Sequence, residues 1–112
     1  MAEAGTDPTD DGVTIVDNPA EQRYELSVDG ERVGMAEYLT DGERIVFTHT
    51  EVDPPEGRKG LGGRLVGFAL DDARRRGLGV VPRCPFVAAY IKKHPDLLDV
   101  VPPDERDRVT AA

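Results

Sequence analysis

The chain has no tryptophan, a single cysteine and only 5% aromatic residues, so any core must be assembled from Val, Leu, Ile, Ala and three Phe. With Cys84 alone, an intramolecular disulfide is impossible and a four-cysteine zinc site is excluded by count. Neither histidine, His49 nor His94, has a partner at metal-ligand spacing, and no metal is expected. No apolar run approaches the ~20 residues that a membrane-spanning helix needs. The acidic start (Glu3, Asp7, Asp10, Asp11) has no basic stretch leading into an apolar one. A cytoplasmic location without a membrane partner is the expectation. Positive charge is scarce as well: a net charge of −8 argues against nucleic acid as a partner, because phosphate backbones are held by clustered Lys and Arg.

At 112 residues the chain has room for one domain and one small active site. Charge is unevenly spread over it. Residues 1–56 hold fifteen acidic and three basic side chains, residues 57–112 seven acidic and eleven basic, and the stretch 57–93 holds nine basic against two acidic. That local balance suits an anionic small ligand, although solvated helix arginines account for part of it.

Residues 1–12 lack apolar periodicity and read as a mobile tail. Four strand-like runs follow, Val13 to Asp17, Arg23 to Val28, Arg32 to Leu39 and Arg44 to Val52. They are punctuated by Asp29-Gly30 and Asp41-Gly42, pairs suited to the positive φ values of two-residue hairpins. Simple alternation in the last run sets Ile45, Phe47, His49 and Glu51 on one face and Val46, Thr48, Thr50 and Val52 on the other, a pattern expected of a central strand covered on both sides. Pro54 and Pro55 end it. Leu61, Leu65, Phe68, Ala69, Leu70 and Ala73 then recur at helical spacing, with Arg74, Arg75 and Arg76 in the final turn and Gly77 placed for a left-handed cap. A short strand (Leu78 to Val81) and a second helix (Phe86 to Lys93, stopped by Pro95) complete a domain over 13–101, and 102–112 reads as a charged tail. The fold class is mixed α+β or α/β: an antiparallel meander, then strand, loop, helix, strand, helix.

Between the last meander strand and the first helix stands Gly57-Arg58-Lys59-Gly60-Leu61-Gly62-Gly63-Arg64. A first helical turn presents unpaired N–H groups and the positive end of the macrodipole, and glycine lets a phosphate approach the backbone closely. Two familiar phosphate loops fail on the letters. A P-loop needs Lys and then Ser or Thr where Gly63-Arg64 stands, and a dinucleotide fingerprint starting at Gly60 needs Gly or Ala where Leu65 stands. A pyrophosphate in another setting, or a merely tight strand-to-helix connection, is left.

Strand, basic glycine loop, helix, short strand and a helix bearing a tyrosine resemble the acyl-CoA-binding half of the GNAT superfamily of N-acetyltransferases. Gly60-Leu61-Gly62 matches the two glycine positions of that family's pyrophosphate loop and Lys59 precedes them, whereas Gly57 stands where the family has Gln or Arg, with Arg58 as a substitute. The likeness is closer to very small single-domain members. They share Thr50-Glu51-Val52 and the segment Val81-Pro82-Arg83-Cys84-Pro85-Phe86-Val87 with the residues that follow to Pro95. The resemblance covers roughly residues 13–101 and implies a truncated GNAT-like fold.

It also implies acetyl-CoA or coenzyme A as the bound molecule, held by residues Gly57 to Arg64, with the backbone of Thr50 and Val52 along the pantetheine arm. Acyl transfer to an amine would follow, the acceptor being unidentified. Tyr90 is the candidate proton donor to the departing thiolate, its alternative being a half-buried packing residue. Cys84 is either an acyl acceptor or a pocket-lining thiol. His49 and Glu51 are candidate bases for the incoming amine, with a water-mediated route or an interior histidine as alternatives. A non-catalytic CoA-sensing module would use the same loop and need neither Tyr90 nor Cys84. Oligomeric state stays open.

Overall fold

The computed structural model describes residues 12–55 and 57–111, so the expected tail lies almost wholly outside the described residues. Four strands, β1 (Val13–Asn18), β2 (Arg23–Val28), β3 (Glu31–Asp41) and β4 (Arg44–Val52), form an antiparallel meander. After helix α1 (Leu61–Arg75), strand β5 (Gly79–Pro82) joins β4 in parallel, giving the sheet order β1-β2-β3-β4-β5. Helix α2 (Pro85–Lys93) follows at once, with Pro85 in its first turn. The mixed α+β class is as expected from the sequence.

Both Asp-Gly hairpins, β2-β3 and β3-β4, turn on positive φ. Asp29 (51°) and Gly30 (86°) form the first loop. The second differs by one residue from expectation: Asp41 pairs with Arg44, so the loop is Gly42-Glu43, with Gly42 (63°) at its first position. The end of α1 is closed as its letters suggest. Leu78 N–H donates to the Ala73 carbonyl and Gly77 N–H to that of Arg74, with Gly77 at φ 73°, a complete Schellman motif. Because Leu78 is consumed by that cap, β5 starts at Gly79 rather than Leu78.

A bulge in β4 changes which side chains share a face. Glu37 pairs with His49 and Tyr38 with Phe47, leaving Thr48 as an extra residue. Alternation therefore restarts. Buried Ala36 lies opposite Thr50 and buried Tyr38 opposite Phe47, so Thr50 joins Phe47 on the core face while His49 and Glu51 move to the other. This corrects the single alternating face expected for Phe47, His49 and Glu51. It also limits coverage: Ile45 and Phe47 are buried, Val46 is half-buried, and Thr48, His49 and Glu51 are exposed.

The core face carries an aromatic cluster. Tyr24 sits 5.3 Å from Tyr38, 6.2 Å from Phe47 and 6.1 Å, edge-on, from Phe68 of α1. Its hydroxyl donates to Asp72 Oδ2 at 2.5 Å, and that of Tyr38 to Asp17 Oδ1 at 2.6 Å. Arg76 bridges the two carboxylates at 3.1 and 3.3 Å, and Arg75 also donates to Asp72. The end of α1 is thus tied to β1, β2 and β3. Burial first, and then the carboxylate each donates to, pushes both tyrosine hydroxyls well above their ordinary value.

Those shifts predict an alkaline instability. Above about pH 10 the unfolded chain releases these two protons while the folded chain keeps them, so folding stability falls as pH rises. Urea unfolding followed between about pH 9 and about pH 11 should show a falling midpoint, and Tyr24→Phe should flatten that fall.

The stretch read as a charged tail folds back onto the domain. After a 3₁₀ segment (Pro95–Val100), a second one (Pro103–Glu105) leads into the short helix α3 (Asp107–Thr110), which buries Val109 and packs on α2. Arg44 donates to both carboxylate oxygens of Asp104 at 3.0 and 3.1 Å, and the Pro102 ring fills the space where a Cβ on Gly79 would stand.

Candidate functional site

The sheet opens where the glycine loop begins. Pairing between β4 and β5 ends at Phe47 and Pro82, yet β4 continues to Val52. Past Phe47 the two strands part. Cys84 N–H donates to the Phe47 carbonyl at 2.8 Å at the base of the gap, and the Cys84 thiol donates to Thr50 Oγ1 at 3.3 Å across it. Cys84 is buried and Thr50 half-buried. The bulge is what brings Thr50 to this face.

The chain then crosses Asp53-Pro54-Pro55 and turns at Gly57 (φ 85°), where Arg58 N–H donates to the Pro55 carbonyl at 3.0 Å. Gly60 is the N-cap of α1, held in the left-handed region (φ 75°) that favours glycine. Among the described residues no side chain caps this end, and the first turn holds no acidic residue. A helix start of this kind offers its first-turn N–H groups and its positive end to an anion. Leu61 is buried, so it offers a ligand only its backbone. Arg58 and Arg64 are half-buried and Lys59 exposed beside the same turn.

Gly62 and Gly63 do different work. A Cβ on Gly62 would stand 2.6 Å from Phe86 Cζ, whereas one on Gly63 would make ordinary contact with Tyr90 at 3.5 Å. Close packing thus explains Gly62 in part.

Residues 23–100 match the family described as GCN5-related N-acetyl-transferase. The chain belongs to this family. The match runs from the first residue of β2 to the last of the 3₁₀ segment after α2, so it includes the glycine loop, the strand gap, Cys84 and Tyr90. A search of curated proteins gives no match. Among the described residues of this GNAT chain, no group of three His, Cys, Asp or Glu is placed to hold a metal ion, and no helix is long and apolar enough to cross a membrane.

Open spaces lie at the end of β4 and beside the loop. A cleft of about 830 Å³ lies at the end of β4, walled by Arg32, Val33, Met35, Thr50, Glu51 and Val52 and reached by Phe86. A groove of about 680 Å³ runs between α1 and α2, lined by Gly60, Gly63, Arg64, Gly67, Tyr90 and His94. A smaller space of about 260 Å³ lies beside Gly63, Phe86 and Lys93.

The sequence-derived candidates fall into two groups. Thr50, Val52, Cys84 and residues 57–64 converge on the gap and the loop. His49 and Glu51 form an exposed pair, ring Nε2 to carboxylate 2.7 Å, on the opposite sheet face from Thr50. Tyr90 stacks on His94 (4.2 Å, 24°) and directs its hydroxyl at Gly67, where a Cβ would come within 2.8 Å. That point is ~10 Å along α1 from Gly60 at 1.5 Å rise per residue. Burial, followed by the nearby charges of Asp71 and Asp96, raises the Tyr90 hydroxyl above its usual range. Phe86, Gly67 and His94 were not picked out as site residues from the sequence. The signal for Gly67 was its four-residue spacing from Gly63; Phe86 stood inside the Cys84 segment.

Proposed function

We propose that the chain binds acetyl-CoA and passes its acetyl group to an amine. The observation that carries this reading is the parting of β4 from β5 directly beside an uncapped, glycine-built helix start. The backbone N–H groups of Leu61, Gly62 and Gly63 would hold the pyrophosphate, with Arg58, Lys59 and Arg64 supplying positive charge. The bound thioester supplies an activated acyl carbon. The backbone from Thr50 to Val52 would orient its arm, leaving the cleft at the end of β4 for the amine. Glu31, Glu51 and Asp53 line that cleft against Arg23 and Arg32, a small acidic excess that favours a cationic acceptor.

The ammonium first gives up a proton to a base, and the neutral nitrogen then forms a bond to the acyl carbon as the carbon–sulfur bond breaks; nitrogen sheds a second proton and the sulfur takes one up. His49 with Glu51, or water, is proposed as the base. Tyr90 is proposed as the donor to sulfur, since its environment keeps its proton on; reaching the gap requires its ring to turn away from Gly67. Cys84 is proposed as a pocket-lining thiol, because its hydrogen-bond partner is a hydroxyl rather than a base.

Calorimetric titration with acetyl-CoA should show saturable binding, and a panel of amines and lysine peptides should release free CoA thiol. No heat at high micromolar ligand would remove the cofactor reading. Tyr90→Phe should lower kcat by roughly 10²-fold with little change in Kd. Binding without thiol release from any amine would instead favour a CoA sensor, a reading to which the present direction of the Tyr90 hydroxyl lends support.

A further inference from the structure

The ring of Phe86 stands between the two halves of the site just described. It is one of two large apolar side chains exposed on the described surface, at 44%. In the first turn of α1 its Cζ meets Gly62 so closely that even a methyl group there would collide at 2.6 Å. The same ring borders the cleft that holds Thr50 and Val52 and, on its other side, the small space beside Gly63. The ring thus borders the cleft on the strand side and the space on the loop side at once.

We propose that Phe86 is a gate on the pantetheine path: resting on Gly62 it closes the way between loop and gap, and an acyl-CoA enters only when the ring has swung outward. This rests on the acetyl-CoA reading above. Several features favour a moving ring over a fixed wall. A large part of its surface is already in water, so only the remainder of the ring has to be exposed when it leaves Gly62. It follows Pro85 in the first turn of α2, where no preceding helical turn crowds its rotamers. Gly62 gives the ring a flat seat without a side chain to lock it in place. Rotamer exchange of such a residue is fast compared with diffusional binding, so the gate acts as a pre-equilibrium. The observed association rate constant is then the intrinsic one multiplied by the open fraction.

The test compares two ligands that share the nucleotide and differ in the arm. Ethenoadenine-labelled CoA must pass the ring, whereas ethenoadenine-labelled 3′-phospho-ADP, which has no pantetheine, need not. Stopped-flow anisotropy on the wild type, Phe86→Ala and Phe86→Leu measures both rate constants. The expected result is a rise of roughly tenfold in the CoA association rate constant in Phe86→Ala, a smaller rise in Phe86→Leu, and no change for 3′-phospho-ADP in either. An unchanged CoA association rate with faster dissociation would make Phe86 a wall and overturn the gate while leaving the CoA site intact. Failure of the wild type to bind either ligand would instead remove the underlying site. Circular dichroism of each variant separates these outcomes from a loss of fold, which the ring's exposure makes inexpensive to avoid.

Discussion

Gly63→Asp is expected to abolish acetyl-CoA binding while leaving the protein as stable as the wild type or slightly more so. The two effects have the same origin. A carboxylate in the first turn of α1 meets the positive helix end and its first-turn N–H groups, which stabilises a helix by ~0.3–1 kcal/mol, and replacing a helical glycine adds about as much. The space exists, since a Cβ at this position stands at an ordinary 3.5 Å from Tyr90. The same carboxylate occupies the place proposed for pyrophosphate and repels it. At ~4 Å and an effective dielectric constant near 20, two unit charges of like sign cost about 4 kcal/mol, so affinity should fall by at least 10²-fold. Calorimetry with acetyl-CoA and urea unfolding decide it together. Unchanged affinity would refute the loop as the anion site. Gly62→Asp is a poorer probe: its Cβ collides with Phe86, and lost binding could then reflect displaced packing.

Asp72→Ala should be the most damaging single truncation. Asp72 is the one buried charged residue among those described, 3% exposed, and it accepts from Tyr24, Arg75 and Arg76. The arginine side chains are 56% and 40% exposed and return to water at little cost. The Tyr24 hydroxyl cannot do so. Left without an acceptor in the interior, and with a void beside it, it should account for most of a loss of about 2–4 kcal/mol. For a domain of this size that is a fall in Tm of roughly 10–25 °C. Asp72→Asn, which keeps an acceptor of the same shape, should lose about half as much. A thermal melt within a few degrees of wild type for Asp72→Ala would show that the aromatic cluster alone holds α1 to the sheet.

Local chemistry made much of this fold legible. Asp29-Gly30 announced a hairpin because few residues accept two successive positive φ values, and Arg74 to Gly77 announced the end of α1 because dipole and left-handed cap favour that order. The glycine loop was legible for the same reason. What escaped depended on partners far along the chain. The bulge at Thr48 is a property of how β4 pairs with β3, and nothing in the residues 45 to 52 themselves reveals that the count restarts. His49 and Glu51 consequently stand on a different face from the one alternation gave them. Residues 102–112 read as a tail because Val109 is a lone apolar residue among charges; its burial depends on α2, and the stretch before it is held by Arg44 at Asp104 and Gly79 at Pro102, partners that meet it only in the folded protein. Phe86 as an occupant of the site depends on how α2 is rotated against α1, a matter of packing between elements rather than within one.

The glycines of α1 also bear on protein engineering. Exchanging helical glycine for alanine is a routine route to thermal robustness, typically gaining ~0.5–1 kcal/mol at each position. Here a Cβ on Gly62 or Gly67 would stand 2.6 Å from the Phe86 ring and 2.8 Å from the Tyr90 hydroxyl, so the methyl groups would displace those side chains and offset the gain in the helix. Only Gly63 has room, and it lies where the anion is proposed to sit. In this helix thermal hardening and ligand binding compete at Gly63, and at the other two glycines packing opposes the exchange.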